Sequence, residues 1–203
     1  MLAPAARLAR RRRLEPVASR PARPLGRGAC DRLEPGLRGQ RVCPGKKGGE
    51  KTGPNPTDRG RAGSKRHIIT DARGVPLALR ITAANIHDSR LFDELIDAVP
   101  PVRQGRGRPC RRPAKLHADK AYDVPRCHRD LRKRRISDRI ARRGIDSSER
   151  LGRHRWVVER TLAWFSRLRR LTVRYERRAD IFEAFHHLAA ALICWRFVQR
   201  RLC

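Results

Sequence analysis

The apolar positions of this 203-residue chain change period several times, and each change marks an element. Residues 1–45 are rich in Arg, Pro, Gly and Ala and show no sustained period of 2 or 3.6. They offer too little apolar surface to offset their ordering entropy, so a disordered basic arm is expected, with a short helix over residues 5–14 as its one local structure. Residues 46–56 form a loop by their glycines and prolines. Residues 65–70 and 75–82 are β-type runs joined by Asp71-Ala72-Arg73-Gly74, whose glycine suits a left-handed turn position, and they predict an antiparallel hairpin. A helix over residues 89–98 follows, with Asp88 or Ser89 as its cap. Leu116 and Ala118 alternate with polar neighbours in a short strand ending near Asp119. Asp123 then reads as the cap of a helix over residues 124–134, and residues 137–141 as one more strand.

Two longer helices close the chain. In residues 155–171, Val158, Thr161, Leu162, Phe165 and Leu168 make one apolar stripe, widened by Val157, Trp164 and Leu171. Glu159 lies on its border, one turn after Arg155. Residues 180–200, capped by Asp180, place Ile181, Phe185, Leu188, Leu192 and Trp195 on one face, with Phe182, Ala189 and Ile193 beside it. His186 and His187 are adjacent and point apart, which argues against a shared metal. Strands alternating with helices give an α/β class.

Charge adds a partner to this picture. The formal net charge is +30, with 43 arginines to 7 lysines, a balance that favours forked contacts to phosphate. Such an excess calls for a polyanion, and nucleic acid is the best candidate. The loop of residues 100–113, with Arg103, Arg106, Arg108, Arg111 and Arg112 among glycines and prolines, is expected to contact a nucleic-acid backbone, as are Lys46 and Lys47. An RNA-associated role would want an aromatic stacking platform, and the two tyrosines, three tryptophans and five phenylalanines sit mostly at core-like positions. Six cysteines without a CxxC pair or regular spacing support neither a zinc knuckle nor a disulfide framework, and fit a reducing cytoplasm. The longest apolar run, residues 188–195, is short of the ~20 residues that span a bilayer.

In so basic a chain each acid is informative. Phosphodiester chemistry is commonly carried by two divalent ions about 3.5–4 Å apart, held by clustered carboxylates. Asp119 at a strand end and Glu159 on a helix are the candidate metal ligands and catalytic residues; the alternative for Glu159 is a surface ion pair with Arg155, and for Asp88 a cap is weighed against a catalytic role.

Several stretches carry a family resemblance: residues 51–60 (Lys-Thr-Gly-Pro-Asn-Pro-Thr-Asp-Arg-Gly), Ser64-Lys65-Arg66-His67, Asn85-Ile86-His87-Asp88, Ala118-Asp119-Lys120-Ala121-Tyr122-Asp123, and Arg155-Trp156-Val157-Val158-Glu159-Arg160-Thr161. From about residue 46 onward the chain resembles the catalytic part of bacterial insertion-sequence transposases of the DDE type. The resemblance implies a ribonuclease-H-like mixed sheet flanked by helices, metal-dependent strand cleavage and strand transfer, and Mg²⁺ (or Mn²⁺) as cofactor. Asp119 would be the second metal ligand and Glu159 the third, with Arg155 as the arginine of the family's tyrosine-arginine-glutamate-lysine signature. Gly152 and Ser166 stand where that signature has tyrosine and lysine. The implied partner is DNA, at element ends and target, in a bacterial cytoplasm at the nucleoid, with no membrane; a homo-oligomer or assembly with an intact transposase is the expected quaternary context.

One departure matters. The family's first aspartate lies on the first strand, shortly before the basic Gly-Gly loop, and residues 35–44 (Pro-Gly-Leu-Arg-Gly-Gln-Arg-Val-Cys-Pro) hold no acid and no strand pattern. An incomplete first strand is expected, as in a truncated or frame-shifted transposase. The alternative reading is a non-enzymatic, basic DNA-binding remnant.

Overall fold

The computed structural model describes residues 36–102, 109–110, 112–145 and 148–202, and of residues 36–41, 148–155 and 201–202 the backbone alone. Six strands form one sheet: β1 (Gly36–Pro44), β2 (Gly53–Pro54), β3 (Ala62–Thr70), β4 (Pro76–Ala83), β5 (Lys115–Ala118) and β6 (Ser137–Ile140). The main path runs β4, β3, β1, β5, β6, with β2 also on β3. β4, β3 and β1 are antiparallel to their neighbours, whereas β5 runs parallel to β1 and β6 parallel to β5. The helices are α1 (Phe92–Asp97), α2 (Pro125–Lys133), α3 (Ser148–Ser166), α4 (Arg169–Thr172) and α5 (Ala179–Leu202).

The pleat of β3 explains the layering. Residues 63–70 are all buried, so both faces of this strand are covered, and successive side chains go to opposite sides. Ile69 joins Phe92, Leu95, Leu116, Leu131 and Ile140 in a core beneath α1 and α2. Ile68 joins Leu79, Ile81, Leu162, Phe165 and Phe182 in a second core beneath α3 and α5. The domain is therefore a sheet between two helical layers.

β3 is also polar, and its burial sets its hydrogen bonding. Lys65 pairs with Asp88 at 2.8 Å and donates to the Ile86 carbonyl at 2.9 Å. His67 bonds Thr82 across 2.7 Å, and burial holds its imidazole near pKa 4, hence neutral at physiological pH. The stretch from Ser64 to His67 that carries part of the resemblance is thus an interior strand.

The hairpin, β5, α2 and β6 lie where the sequence puts them, within a few residues. β1 does not follow expectation: the run expected to lack strand structure is a nine-residue strand at the centre of the sheet. Its two glycines and two arginines give no alternation, but pairing with β3 on one edge and β5 on the other supplies ladder bonds on both sides. Context overrides propensity here. The register shifts between Gly39 and Val42, where β1 carries an irregularity. The disorder anticipated up to residue 45 is therefore not found from Gly36 onward, and residues 1–35, with the anticipated helix over 5–14, lie outside the described residues.

Four end signals also resolve differently. Asp88 is no free cap: it opens a 3-10 turn (Asp88–Leu91), is buried against Lys65, and leaves capping to the His87 side chain, which accepts from the Ser89 amide. Asp123 precedes α2 but accepts from the Arg143 amide and pairs with His128. The α3 pattern breaks after Ser166; the turn lets Leu171 tuck into the second core and its carbonyl accept from the Cys43 thiol. Asp180 lies inside the first turn of α5, paired with Arg178.

Cys110 is disulfide-bonded, which the irregular cysteine spacing did not signal, while Cys43, Cys127 and Cys194 are free. By length and composition the residues 179–200 of α5 could cross a membrane, yet Phe182, His186, Ala189 and Ile193 are buried in the domain and Glu183 pairs with Lys51.

Candidate active site and nucleic-acid interface

Asp119 follows β5 directly. It is half-buried, and its Oδ1 accepts from the Lys120 amide at 2.7 Å, which turns the chain into a 3-10 segment (Lys120–Tyr122). Ala118 faces the core beneath α1 and α2, so alternation turns position 119 to the other face, the one α3 covers. The parallel register pairs Leu37 with Ala118. The next position along β1, 38, therefore lies beside Asp119, and it pairs with Ile68, whose side chain faces α3.

α3 runs along β1. At one end Thr161 donates to the Gly74 carbonyl in the β3–β4 turn at 2.8 Å; further on, Phe165 and then Leu171 pack beside Cys43 near the end of β1. Glu159 is two residues before Thr161 and is exposed. The fold thus brings both candidate carboxylates to the half of β1 that begins at Gly36, one on the neighbouring strand and one on the helix above. β1 itself reads Gly-Leu-Arg-Gly-Gln-Arg-Val-Cys-Pro and offers no carboxylate between them.

The surroundings of Asp119 are braced by a cluster that the sequence did not single out. His128 on α2 pairs through Nε2 with Asp123 at 2.9 Å and through Nδ1 with Asp138 on β6. The Asp138 hydrogen bond foremost, with that of Asp123, raises the His128 pKa above its ordinary 6.5. The Arg143 amide bond, followed by His128, lowers that of Asp123. Arg143 also donates to the Lys120 carbonyl at 3.1 Å, so the cluster holds the segment immediately after Asp119.

The basic candidates divide. Lys46 and Lys47 are exposed in the loop after β1, with the Lys46 ammonium 5.5 Å from the centre of the Tyr175 ring. They lie at the far end of β1 from Asp119, roughly 25 Å away at a strand rise of ~3.3 Å per residue. Arg112 is exposed. Arg106, Arg108 and Arg111 lie outside the described residues, as does the Arg155 side chain. Arg174 shows that charge here is not all surface: it is buried, donating to the Ser64 hydroxyl at 2.7 Å and to the carbonyls of Lys51, Glu176 and Arg177. Desolvation lowers its pKa. Nothing in the arginine-rich sequence distinguished it from its solvated neighbours.

Comparison with known proteins decides the family. The transposase DDE domain matches residues 38–194. This chain belongs to that family. It is 50% identical over 200 residues to a "putative transposase for insertion sequence element IS402" of Burkholderia cepacia, covering 98% of this chain and 95% of the relative. Among solved structures, the catalytic core domain of BIV integrase matches at a TM-score of 0.37 and 11% identity, over 69% of each chain. The mixed sheet between two helical layers is an α/β fold, the class expected of a DDE transposase of an insertion sequence.

Proposed function

We propose that this transposase binds the DNA of its element ends and of its target, and that strand cleavage by the chain is weak because its acidic site is incomplete. What supports the reading is the arrangement around β1: Asp119 and Glu159 flank one half of a strand that carries no acid. The family works with divalent metal. Asp119 and Glu159 supply the oxygen donors that Mg²⁺ or Mn²⁺ prefers, so they are the residues that would hold the ion. They fit in kind but not in number. Among the described residues no group of three or more His, Cys, Asp or Glu side chains could hold a metal.

DNA binding is supported by the net charge of +30 and by exposed basic side chains, Lys46 and Lys47 after β1 and Arg112 before β5 among them. With Arg106, Arg108, Arg111 and Arg155, these would neutralise phosphates along a duplex. The test combines mobility shift and nicking on element-end DNA with Mg²⁺ or Mn²⁺, for wild type, Asp119→Asn and Glu159→Gln. Binding that survives both substitutions, with any trace of nicking lost in each, supports the reading. Nicking that persists in both variants would remove these carboxylates from the chemistry.

A further inference from the structure

The exposed side of α3 alternates aromatic rings and guanidinium groups. The Arg160 guanidinium lies 4.4 Å from the centre of the Trp156 ring and 5.0 Å from that of Trp164, one cation held by the indoles one turn before and one turn after it. It also donates to the Arg73 carbonyl, which fixes its position. Trp164 meets Phe197 of α5 edge-on, with ring centres 5.7 Å apart. Beside them, near the end of α3 and against the last turns of α5, lies a cleft of about 370 Å³. Trp164, Leu168 and Phe197 line it together with Arg167, Arg196 and Arg200. These three arginines are exposed, and among the described residues none of them pairs with a carboxylate. Spacing put the aromatic residues mostly in the core, yet Trp156 is 49% exposed. It stands about one turn before Glu159, which is exposed as well.

We propose that this track binds an unpaired strand of DNA, with bases against Trp156 and in the cleft beside Trp164, and phosphates on Arg167, Arg196 and Arg200. The proposal rests on the DNA-binding reading above and adds to it a site for single strands. In a duplex the neighbouring pairs already cover both faces of a base, so an aromatic ring can stack on it only once it is unpaired. Rings interleaved with arginines therefore select a single strand, and they do so with little regard to its sequence. The platform is set before the ligand arrives, because Arg160 is held by two rings and a carbonyl, and little side-chain freedom is left to lose on binding. From Trp156 to Trp164 the helix advances about 12 Å, and the cleft prolongs the track, giving room for roughly three or four nucleotides at ~3.4 Å each. Guanidinium groups without carboxylate partners are available to phosphate oxygens. One end of the track adjoins Glu159, so the strand it holds is the one that fraying of an element end frees beside the candidate carboxylates.

The experiment measures binding of the full chain to labelled oligothymidylate and to a duplex of the same length, at one salt concentration, with quenching of tryptophan fluorescence as a second readout. Wild type should bind the strand and lose fluorescence. Trp156→Ala should weaken strand binding about tenfold and leave duplex binding and the melting temperature unchanged. Trp156→Phe should recover most of the loss, because it keeps an aromatic face. Arg196→Gln combined with Arg200→Gln, both at exposed positions, should lower the salt slope for the strand by roughly 0.7 for each charge removed, and reads the track if Trp156→Ala melts early. A wild type that binds duplex but no strand overturns this proposal alone; one that binds neither removes the DNA reading with it. Equal weakening of strand and duplex in Trp156→Ala also overturns the proposal. So does displacement of the strand by polyglutamate as readily as by unlabelled oligothymidylate, a result that would assign the cleft to an acidic protein segment.

Discussion

The buried Thr161 hydroxyl donates to the Gly74 carbonyl oxygen across 2.8 Å, joining α3 to a turn 87 residues earlier in the chain. The contact leaves no room for a side chain at the turn. Gly74 has φ +88, and a Cβ there would lie 2.8 Å from Thr161 Oγ1 and 3.1 Å from the Arg160 guanidinium. Gly74→Ala should therefore destabilise the domain by more than the ~1 kcal/mol that a compatible glycine replacement alters. Thr161→Val should cost about 1–3 kcal/mol, because it orphans a buried carbonyl. Thermal unfolding reads both. Since Glu159 is held by the same helix turn, each variant should also lower whatever nicking remains.

The buried Arg174 fork makes a second stability prediction. Its four partners lie in the loop before β3, on β3 itself and in the segment leading to α5. Lysine keeps the charge but not the planar fork. Arg174→Lys should lose about 1–3 kcal/mol through partners left unsatisfied, seen as a lower denaturation midpoint; an unchanged midpoint would mean that the fork is dispensable.

A third prediction concerns pH. His128 is held protonated by Asp138 and Asp123, so its folded pKa lies above 6.5. A base with a raised folded pKa contributes stability that is fully present below pH 6.5 and fades as pH climbs through the raised value. The melting temperature should accordingly fall on passing from slightly acidic to mildly alkaline buffer, and His128→Gln should flatten that window. Equal slopes in the two proteins would remove His128 as the cause.

DNA affinity should fall steeply with salt. Neutralising some 6–10 phosphates implies a loss of roughly 10³–10⁵ between about 50 and 200 mM. Lys46→Ala and Lys47→Ala should each weaken binding evenly across sequences and reduce the slope of log affinity against log salt by about one unit. A flat salt response in wild type contradicts the basic-surface argument.

How far the sequence reveals this molecule depends on where the governing forces lie. Elements whose apolar spacing is local were legible: the hairpin around Gly74, β5 up to Ala118, and the α3 stripe from Val158 to Phe165. Ends set by tertiary contacts were not. Asp88 and Asp123 have the composition of caps, but Lys65, 23 residues before the first, and Arg143, 20 residues after the second, claim them. β1 was illegible because pairing on both edges, rather than the side chains from Gly36 to Pro44, makes it a strand. Arg174 was hidden by composition, for the two buried arginines among the described residues, Arg66 and Arg174, leave no periodic trace in a chain of 43. Asp119 and Glu159 were singled out through the family resemblance, and the fold adds their common relation to β1.

On the proposed reading, a carboxylate missing from β1 limits cleavage by a site that Asp119 and Glu159 would otherwise build. Position 38 lies beside Asp119 in the β1–β5 register, so Arg38→Asp returns an acid to that place. The direct measurement is Mn²⁺- or Mg²⁺-dependent nicking of element-end DNA by wild type, Arg38→Asp, and Arg38→Asp combined with Glu159→Gln. The expected result is little or no nicking by wild type, a gain of about tenfold or more in Arg38→Asp, equivalent to ~1.4 kcal/mol in the barrier, and loss of that gain in the double variant. Vigorous nicking by wild type that Arg38→Asp does not raise, or a gain in Arg38→Asp that survives Glu159→Gln, would mean that no missing carboxylate on β1 limits cleavage.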